Sequence, residues 1–228
     1  MNAEELAFDL PGGARALFTT RAQGNLSSVG GDDAEHGLQA RKRLREQLGV
    51  QSLLRGYQVH GTVVRRVRTG AQAGDDVQAD GQATALRDVG VMVLTADCLP
   101  VGLGTTGAVA MIHAGWRGLA AGVLEEGVRA LEELGSGDEI VAIIGPGAGP
   151  CCYEVGPEVH AAFGGAHRIE SPPTRRIDLK AIARERLLLA GVADVRDIAA
   201  CTICDERYFS HRREGARAGR QGAVAWLN

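Results

Sequence analysis

No apolar run in the 228-residue chain approaches the roughly 18 to 20 residues that cross a bilayer, which excludes a helical membrane span. The first ten residues, "MNAEELAFDL", lack a basic stretch followed by an apolar one. No secretion signal is read there, and a cytoplasmic location is expected. Excess positive charge is missing too. With 25 basic against 28 acidic residues the net charge is −3, so the average field attracts neither polyanion, and neither a nucleic acid nor a membrane is expected as a partner. Five cysteines make an odd set, which argues against a disulfide framework and leaves buried, metal-bound or reactive thiols. Aromatic residues are scarce at 4%, and only Lys42 and Lys180 are lysine.

What is present is an ordinary globular composition, 45% hydrophobic and 23% charged, with 32 glycines that mark many tight turns or close backbone approaches. "ARALFTT" (14–20) reads as a short strand and "QGNLSSVGGDD" (23–33) as a loop, followed by a surface helix from Ala34 to Leu48 that Gly49 closes. "YQVHGTVVRRVRT" (57–69) alternates and predicts a strand pair, or one long strand interrupted at Gly61. "DVGVMVLTADC" (88–98), "GAVAMIHAG" (107–115) and "EIVAIIG" (139–145) have the pattern of strands buried on both faces. Residues 116–135 predict one amphipathic helix ending at Gly135, and 177–192 a second with Asp178 in its first turn. The last 34 residues read as two short strands around a basic, glycine-rich loop. No repeat, low-complexity tract or linker divides the chain. The expectation is a single compact α/β (α+β) domain over residues 1–228, with mixed sheets and flanking helices.

Three segments near strand ends carry soft or imidazole donors: His60 in "QVHG", Cys98 in "TADC" and His113 in "IHAGWRG". Two imidazoles and one thiolate form a three-ligand set that leaves a fourth tetrahedral position for water, as in a catalytic zinc site. The competing reading makes the histidines hydrogen-bonded strand-end residues and Cys98 a small buried hydrophobe. Asp97 is either a carboxylate that orients a ligating histidine or the cap of the following turn. Cys201 and Cys204 form a C-x-x-C without a second pair at finger or ribbon spacing, and the adjacent Cys151 and Cys152 cannot easily bridge each other. "IGPGAGP" follows a strand but lacks the Walker lysine, so it offers at most backbone N–H groups to an anion.

Six segments, "FTTR" (18–21), "QVHG" (58–61), "TADCLPV" (95–101), "IHAGWRG" (112–118), "IGPGAGPCCYEVG" (144–156) and "FSHRREGARAGRQ" (209–221), occur in the order seen in one family. Through them the chain, from Phe18 to Trp226, resembles the laccase-domain or multicopper polyphenol oxidase family, better described as zinc-dependent purine nucleoside phosphorylases. The resemblance implies a fold like that of cytotoxic-necrotizing-factor-type hydrolases. It also implies that His60, Cys98 and His113 are catalytic metal ligands. The implied chemistry is phosphorolysis of adenosine, inosine, guanosine and S-methyl-5′-thioadenosine to free base and the sugar 1-phosphate, together with deamination of adenosine. Arg41, Arg117 and Arg212 fall in matched segments and are expected at the substrate, where arginine forks suit phosphate. Two departures stand out. The N-terminal loop is shortened, and the family's Asn-Arg pair on the first helix reads Ala40-Arg41 here.

The expected partners are therefore purine nucleosides and phosphate, with zinc as cofactor, acting on a monomer. Two alternatives come from other classes. A copper-dependent polyphenol oxidase would use the same His₂Cys set, but only six histidines are present, and His36, His160 and His167 have no clustered partner in sequence. A non-catalytic metal-binding or redox module would rest on Cys151–Cys152 and the C-x-x-C pair alone.

Overall fold

Strands that are apolar on both faces need a cover on each side, and the chain supplies both by stacking two sheets between helices. A computed structural model describes residues 7–28, 33–69, 77–164, 168–169 and 175–228. Residues 29–32 of the loop read at 23–33, and His167, lie outside them. The first half contains β1 (Ala7–Asp9), β2 (Ala14–Phe18), α1 (Asp33–Leu48), β3 (Ser52–Leu54), β4 (Val64–Val67), β5 (Gly81–Thr84) and β6 (Val89–Thr95). There follow β7 (Leu99–Thr105), β8 (Ala108–Ala114), α2 (Trp116–Ala121), α3 (Val123–Glu132), β9 (Val141–Ile144) and α4 (Pro157–Ala162). The chain closes with β10 (Arg168–Ile169), β11 (Arg176–Ile177), α5 (Leu179–Leu189), β12 (Asp194–Asp197), α6 (His211–Glu214) and β13 (Gln221–Leu227).

One sheet has the order β1-β2-β13-β6-β3 and the other β12-β9-β7-β8-β5-β4, with a small β10-β11 ribbon. Both large sheets are mixed: β3 runs parallel to β6, β4 to β5 and β12 to β9, and the remaining pairs are antiparallel. The mixed α/β architecture expected from the sequence is the one observed.

Period-two alternation sorts the apolar residues into three cores. Val89, Val91 and Val93 of β6, Ala223 and Ala225 of β13, and Val109 and Met111 of β8 meet Phe18 between the two sheets. Met92 and Leu94, on the other face of β6, pack with Val224, Trp226 and Leu44 of α1. Ala108, Ala110 and Ile112 of β8, with Leu99, Val101 and Leu103 of β7, lie under Leu124, Val128 and Leu131 of α3 and Leu187 of α5. The layers therefore run α1, sheet, sheet, α2–α3–α5.

Two sequence expectations change, and one strand goes unread in the sequence. Residues 57–69 form only the short β4 and an isolated bridge between Tyr57 and Gln78, because the chain turns at His60 with φ +61°. Leu99–Thr105 is a strand, buried throughout; a Cβ on Gly102 would lie 3.2 Å from Ala16 Cβ of β2 in the facing sheet, and one on Gly104 would lie 2.8 Å from Leu10 Cβ in the β1–β2 connection. The long helix predicted over 116–135 is two helices, α2 and α3, split at Gly122, where φ is +100° and ψ +30°.

The break at Gly122 supplies a test by sign. In a continuous helix Gly122→Ala would gain about 1 kcal/mol. Here alanine must occupy a left-handed conformation, so we expect a loss of about 1–2 kcal/mol in urea unfolding.

Candidate metal centre

His60, Cys98 and His113 come from three separate segments and converge, with one donor atom of each within 4.8 Å of the others. His60 lies in the loop between β3 and β4, Cys98 in the tight turn between β6 and β7, and His113 near the end of β8. His60 Nε2 is 3.7 Å from Cys98 Sγ, and the two imidazole rings meet edge to face with centroids 4.9 Å apart. His60 is exposed, Cys98 half-buried and His113 buried, so the group opens to solvent on the His60 side.

The anchor of this group is a residue that sequence reasoning missed. Asp80, fully buried at the head of β5, accepts the backbone N–H of Val59, His60 and Gly61 at 3.1, 2.9 and 2.8 Å. Its Oδ1 also lies 2.8 Å from His113 Nδ1. One carboxylate therefore fixes the His60 turn and orients His113, leaving His113 Nε2 free to bind. In sequence, Asp80 is a single acidic residue in "VQADGQAT" with no spacing partner; the only signal was a carboxylate placed before a glycine at the start of a short apolar segment.

Asp97 does something other than orient a histidine. Its Oδ1 accepts Thr202 Oγ1 at 2.7 Å, its Oδ2 accepts the Arg212 backbone N–H at 2.7 Å, and its carbonyl accepts the Ala148 N–H at 2.7 Å. It thus ties Cys98 to the β9–α4 loop and to the segment leading into α6. His60 and Asp97, with φ +61° and +90°, are the non-glycine residues at positive φ among the described residues. Such conformations cost about 1–3 kcal/mol each and persist where surrounding bonds hold them, which is what Asp80, Thr202 and Arg212 supply.

Two glycines after β8 permit the approach. A Cβ on Gly115 would lie 2.6 Å from His60 Cδ2 and 3.2 Å from Cys98 Sγ, and one on Gly118 would lie 2.7 Å from the Gly61 carbonyl. Gln58 further pins the loop by exchanging hydrogen bonds with the Leu94 backbone, at 2.7 and 2.8 Å.

The electrostatics are those of a thiolate–imidazolium pair. Burial pushes the Cys98 thiol up, but the adjacent His113 and His60 outweigh it and bring it down to about 6. Burial pushes His113 down, but the Cys98 charge and Asp80 raise it to about 9. Tyr153 is buried and near enough to feel the Cys98 charge, and both effects raise its hydroxyl pKa, so it remains a proton donor at neutral pH.

The expected arginines separate. Arg212 lies 4.8 Å above the Tyr153 ring and donates to the Glu154 carbonyl at 2.6 Å, while its backbone N–H bonds Asp97, the neighbour of Cys98. Arg117 is exposed and stacks 4.2 Å from the half-buried Trp116 ring, which itself packs on the core. Arg41 is buried and bonds the Leu26 carbonyl and Ser28 Oγ at 2.7 and 3.0 Å, so in this structure it braces the shortened N-terminal loop. No helix among the described residues is long and apolar enough to cross a membrane.

A two-sheet α/β scaffold that presents two imidazoles and a thiol at an open surface defines a candidate metal-dependent enzyme. The family model described as multi-copper polyphenol oxidoreductase laccase matches residues 12–228, and the chain belongs to that family. It is 40% identical over 235 residues to a purine nucleoside phosphorylase of Xylella fastidiosa, covering 96% of this chain and 89% of that protein. An adenosine deaminase from an unknown prokaryotic organism is 36% identical over 243 residues, covering 91% and 92% of the two chains. The crystal structure of a Neisseria meningitidis protein superposes with a TM-score of 0.85 at 32% identity, covering 98% of each chain.

Asp80 offers a direct test with a defined pH dependence. Burial raises its pKa, but the bonds from His113, Gly61 and Val59 hold it below the ordinary carboxylate value. Its stabilisation is therefore fully present above about pH 4 and is lost as pH falls through the lower folded value. Asp80→Asn should cost roughly 3–5 kcal/mol at neutral pH and flatten the acid limb of stability. Urea unfolding at several pH values measures both; wild-type stability at neutral pH would contradict the role given to Asp80.

Proposed function

We propose that the chain is a zinc-dependent purine nucleoside phosphorylase that also deaminates adenosine. The observation that carries this reading is the convergence of His60, Cys98 and His113 on one point, in a chain whose relatives bear those two activity names. The donor set fits zinc: two imidazoles and one low-pKa thiol are borderline-soft ligands, and three of them leave one position open. When bound there, zinc supplies Lewis acidity and brings the pKa of its water toward neutrality.

The remaining work falls to the chain's own residues. Asp80 keeps the proton on Nδ1 of His113, so that Nε2 serves as the donor. Asp97 holds the turn that presents Cys98. Arg212, steadied by the Tyr153 ring and the Glu154 carbonyl, has five N–H donors and presents the others to a phosphate dianion. Arg117 adds a second, exposed cation beside the start of α2. Tyr153 retains its proton and can donate a hydrogen bond to the purine or the sugar.

Copper oxidase chemistry is less well supported by the side chains. A multi-copper enzyme needs a further cluster built largely from imidazoles. Among the described residues, the second group of candidate ligands contains only cysteines, and His36 and His211 are exposed on α1 and α6.

Zinc-loaded protein given adenosine and phosphate should form adenine and ribose 1-phosphate, and should form some inosine without phosphate. Chromatography that finds adenosine untouched rejects the proposal, and several coppers per purified chain would favour the oxidase. His113→Ala should abolish both reactions. Arg212→Ala keeps the backbone bond to Asp97, so it should raise the KM for phosphate roughly 10- to 100-fold, the worth of a charge-assisted hydrogen bond, and spare deamination.

A further inference from the structure

The four remaining cysteines form a second group, on two loops far apart in sequence. Cys151 and Cys152 lie in the β9–α4 loop, and Cys201 and Cys204 lie between β12 and α6. All four sulfurs lie within 4.8 Å of one another. Cys204 Sγ is 2.7 Å from Cys152 Sγ and 3.3 Å from Cys151 Sγ. Cys151 and Cys204 are exposed and the other two half-buried, so the group is not four small hydrophobes sunk into a core.

We propose that Cys151, Cys152, Cys201 and Cys204 form a second, structural metal site for a single thiophilic divalent ion of the zinc class.

Three observations support the assignment. The first is the span of the donors. Metal–sulfur bonds of about 2.3 Å in a tetrahedron space the sulfurs about 3.8 Å apart; the group spans no more than 4.8 Å, with Cys204 Sγ crowded against Cys152 Sγ and Cys151 Sγ, so one ion fits once these sulfurs separate by about an ångström. An iron–sulfur cluster interposes irons and sulfides between its thiolates and needs them further apart. The second is the backbone. Gly149, in the loop that carries Cys151 and Cys152, donates its N–H to Cys201 Sγ at 3.2 Å, which turns the Cys201 sulfur towards the other pair.

The third is how the loops are built. Gly147 and Cys201 form a parallel bridge, with the Thr202 N–H on the Gly147 carbonyl at 3.0 Å, which sets the two segments side by side. The Gly149 carbonyl accepts the N–H of both Cys152 and Tyr153, and this turn lets the neighbouring Cys151 and Cys152 reach one point. A recess of about 410 Å³, lined by Pro150, Cys151, Lys180 and Cys201 among others, opens beside the group and offers a path for an ion.

Four protein ligands leave no open position, which makes the site structural. What it fastens is specific. One loop carries Tyr153, and the other carries Thr202 and runs on to Arg212; Thr202 and Arg212 both bond Asp97 beside Cys98. The ion would clamp together the two loops that back the first centre, and it does so whatever reaction that centre performs.

The test is metal stoichiometry on the full-length chain, purified from zinc-containing medium under reducing conditions. Wild type should hold two zincs, Cys98→Ser one, and Cys204→Ser one. Cobalt added to the metal-free Cys98→Ser protein should give the intense thiolate charge-transfer and tetrahedral visible bands of a sulfur-only site. A native-state thiol assay should find these cysteines protected until a chelator is added, a readout that needs no variant. The proposal is overturned if Cys204→Ser holds as much zinc as wild type, if cobalt in Cys98→Ser shows no thiolate bands, or if a non-reduced digest yields a Cys152–Cys204 disulfide. The wild-type count of two rests on zinc at the first centre, but the three overturning results concern the four-cysteine group alone, so failure of the nucleoside reading leaves them untouched.

Discussion

A single buried carboxylate organises the candidate centre. Asp80 accepts three consecutive backbone N–H groups around His60 and the ring N–H of His113, so the two histidines are bound to one rigid point rather than to each other. Removed from solvent, such a charge is tolerated only when its lone pairs are satisfied, and here four donors satisfy it. That constraint explains why an exposed histidine can sit in a left-handed turn, and why the residue before β8's end faces its partner with little freedom. The rest of the scaffold positions Asp80. It lies at the head of β5, beside β8, where the β5–β8 pairing sets Gly81 against Ile112.

Cys98 is held in a complementary way. Asp97 reaches across to Thr202 and Arg212, residues more than a hundred positions later in the chain, so the thiol's turn is bonded to the C-terminal segment. Cys98 and His113 already lie at the ends of the paired strands β7 and β8, and the bonds of Asp97 add a second tether, to the C-terminal segment, beside the one that Asp80 makes. The arrangement keeps the thiol anionic and His113 protonated in the absence of metal, and a metal binding there must displace that proton.

Much of this was legible in the sequence, and the failures have physical causes. The runs that became β6, β8 and β9 were read correctly because burial on both faces leaves continuous apolar stretches. Strand β7 was missed because Pro100, Gly102 and Gly104 look like loop residues in isolation, although the two glycines make room for Ala16 and Leu10 packed on them. His60 was placed beside a strand because the valines around it alternate, and only the Asp80 bonds reveal that the chain turns there. His60, Cys98 and His113 were found by donor chemistry and family resemblance, and the structure brings them together. Asp80 was not found, since an orienting carboxylate needs no particular spacing. The four-cysteine group was hidden for the same reason: its two pairs are joined by the fold, across two loops.

The placement of β13 has a consequence for how the molecule forms. Residues 221–227 are the middle strand of their sheet, paired with β2 on one side and β6 on the other. During synthesis β2 and β6 emerge first; β2 can pair with β1 and β6 with β3, but the edge that each turns towards β13 stays open until the other strands have been made. The pairing that joins them spans about 200 residues, so closing it carries a large loop-entropy cost and comes late. Until then the half-built sheet is the part of the chain most open to mispairing with another copy of itself.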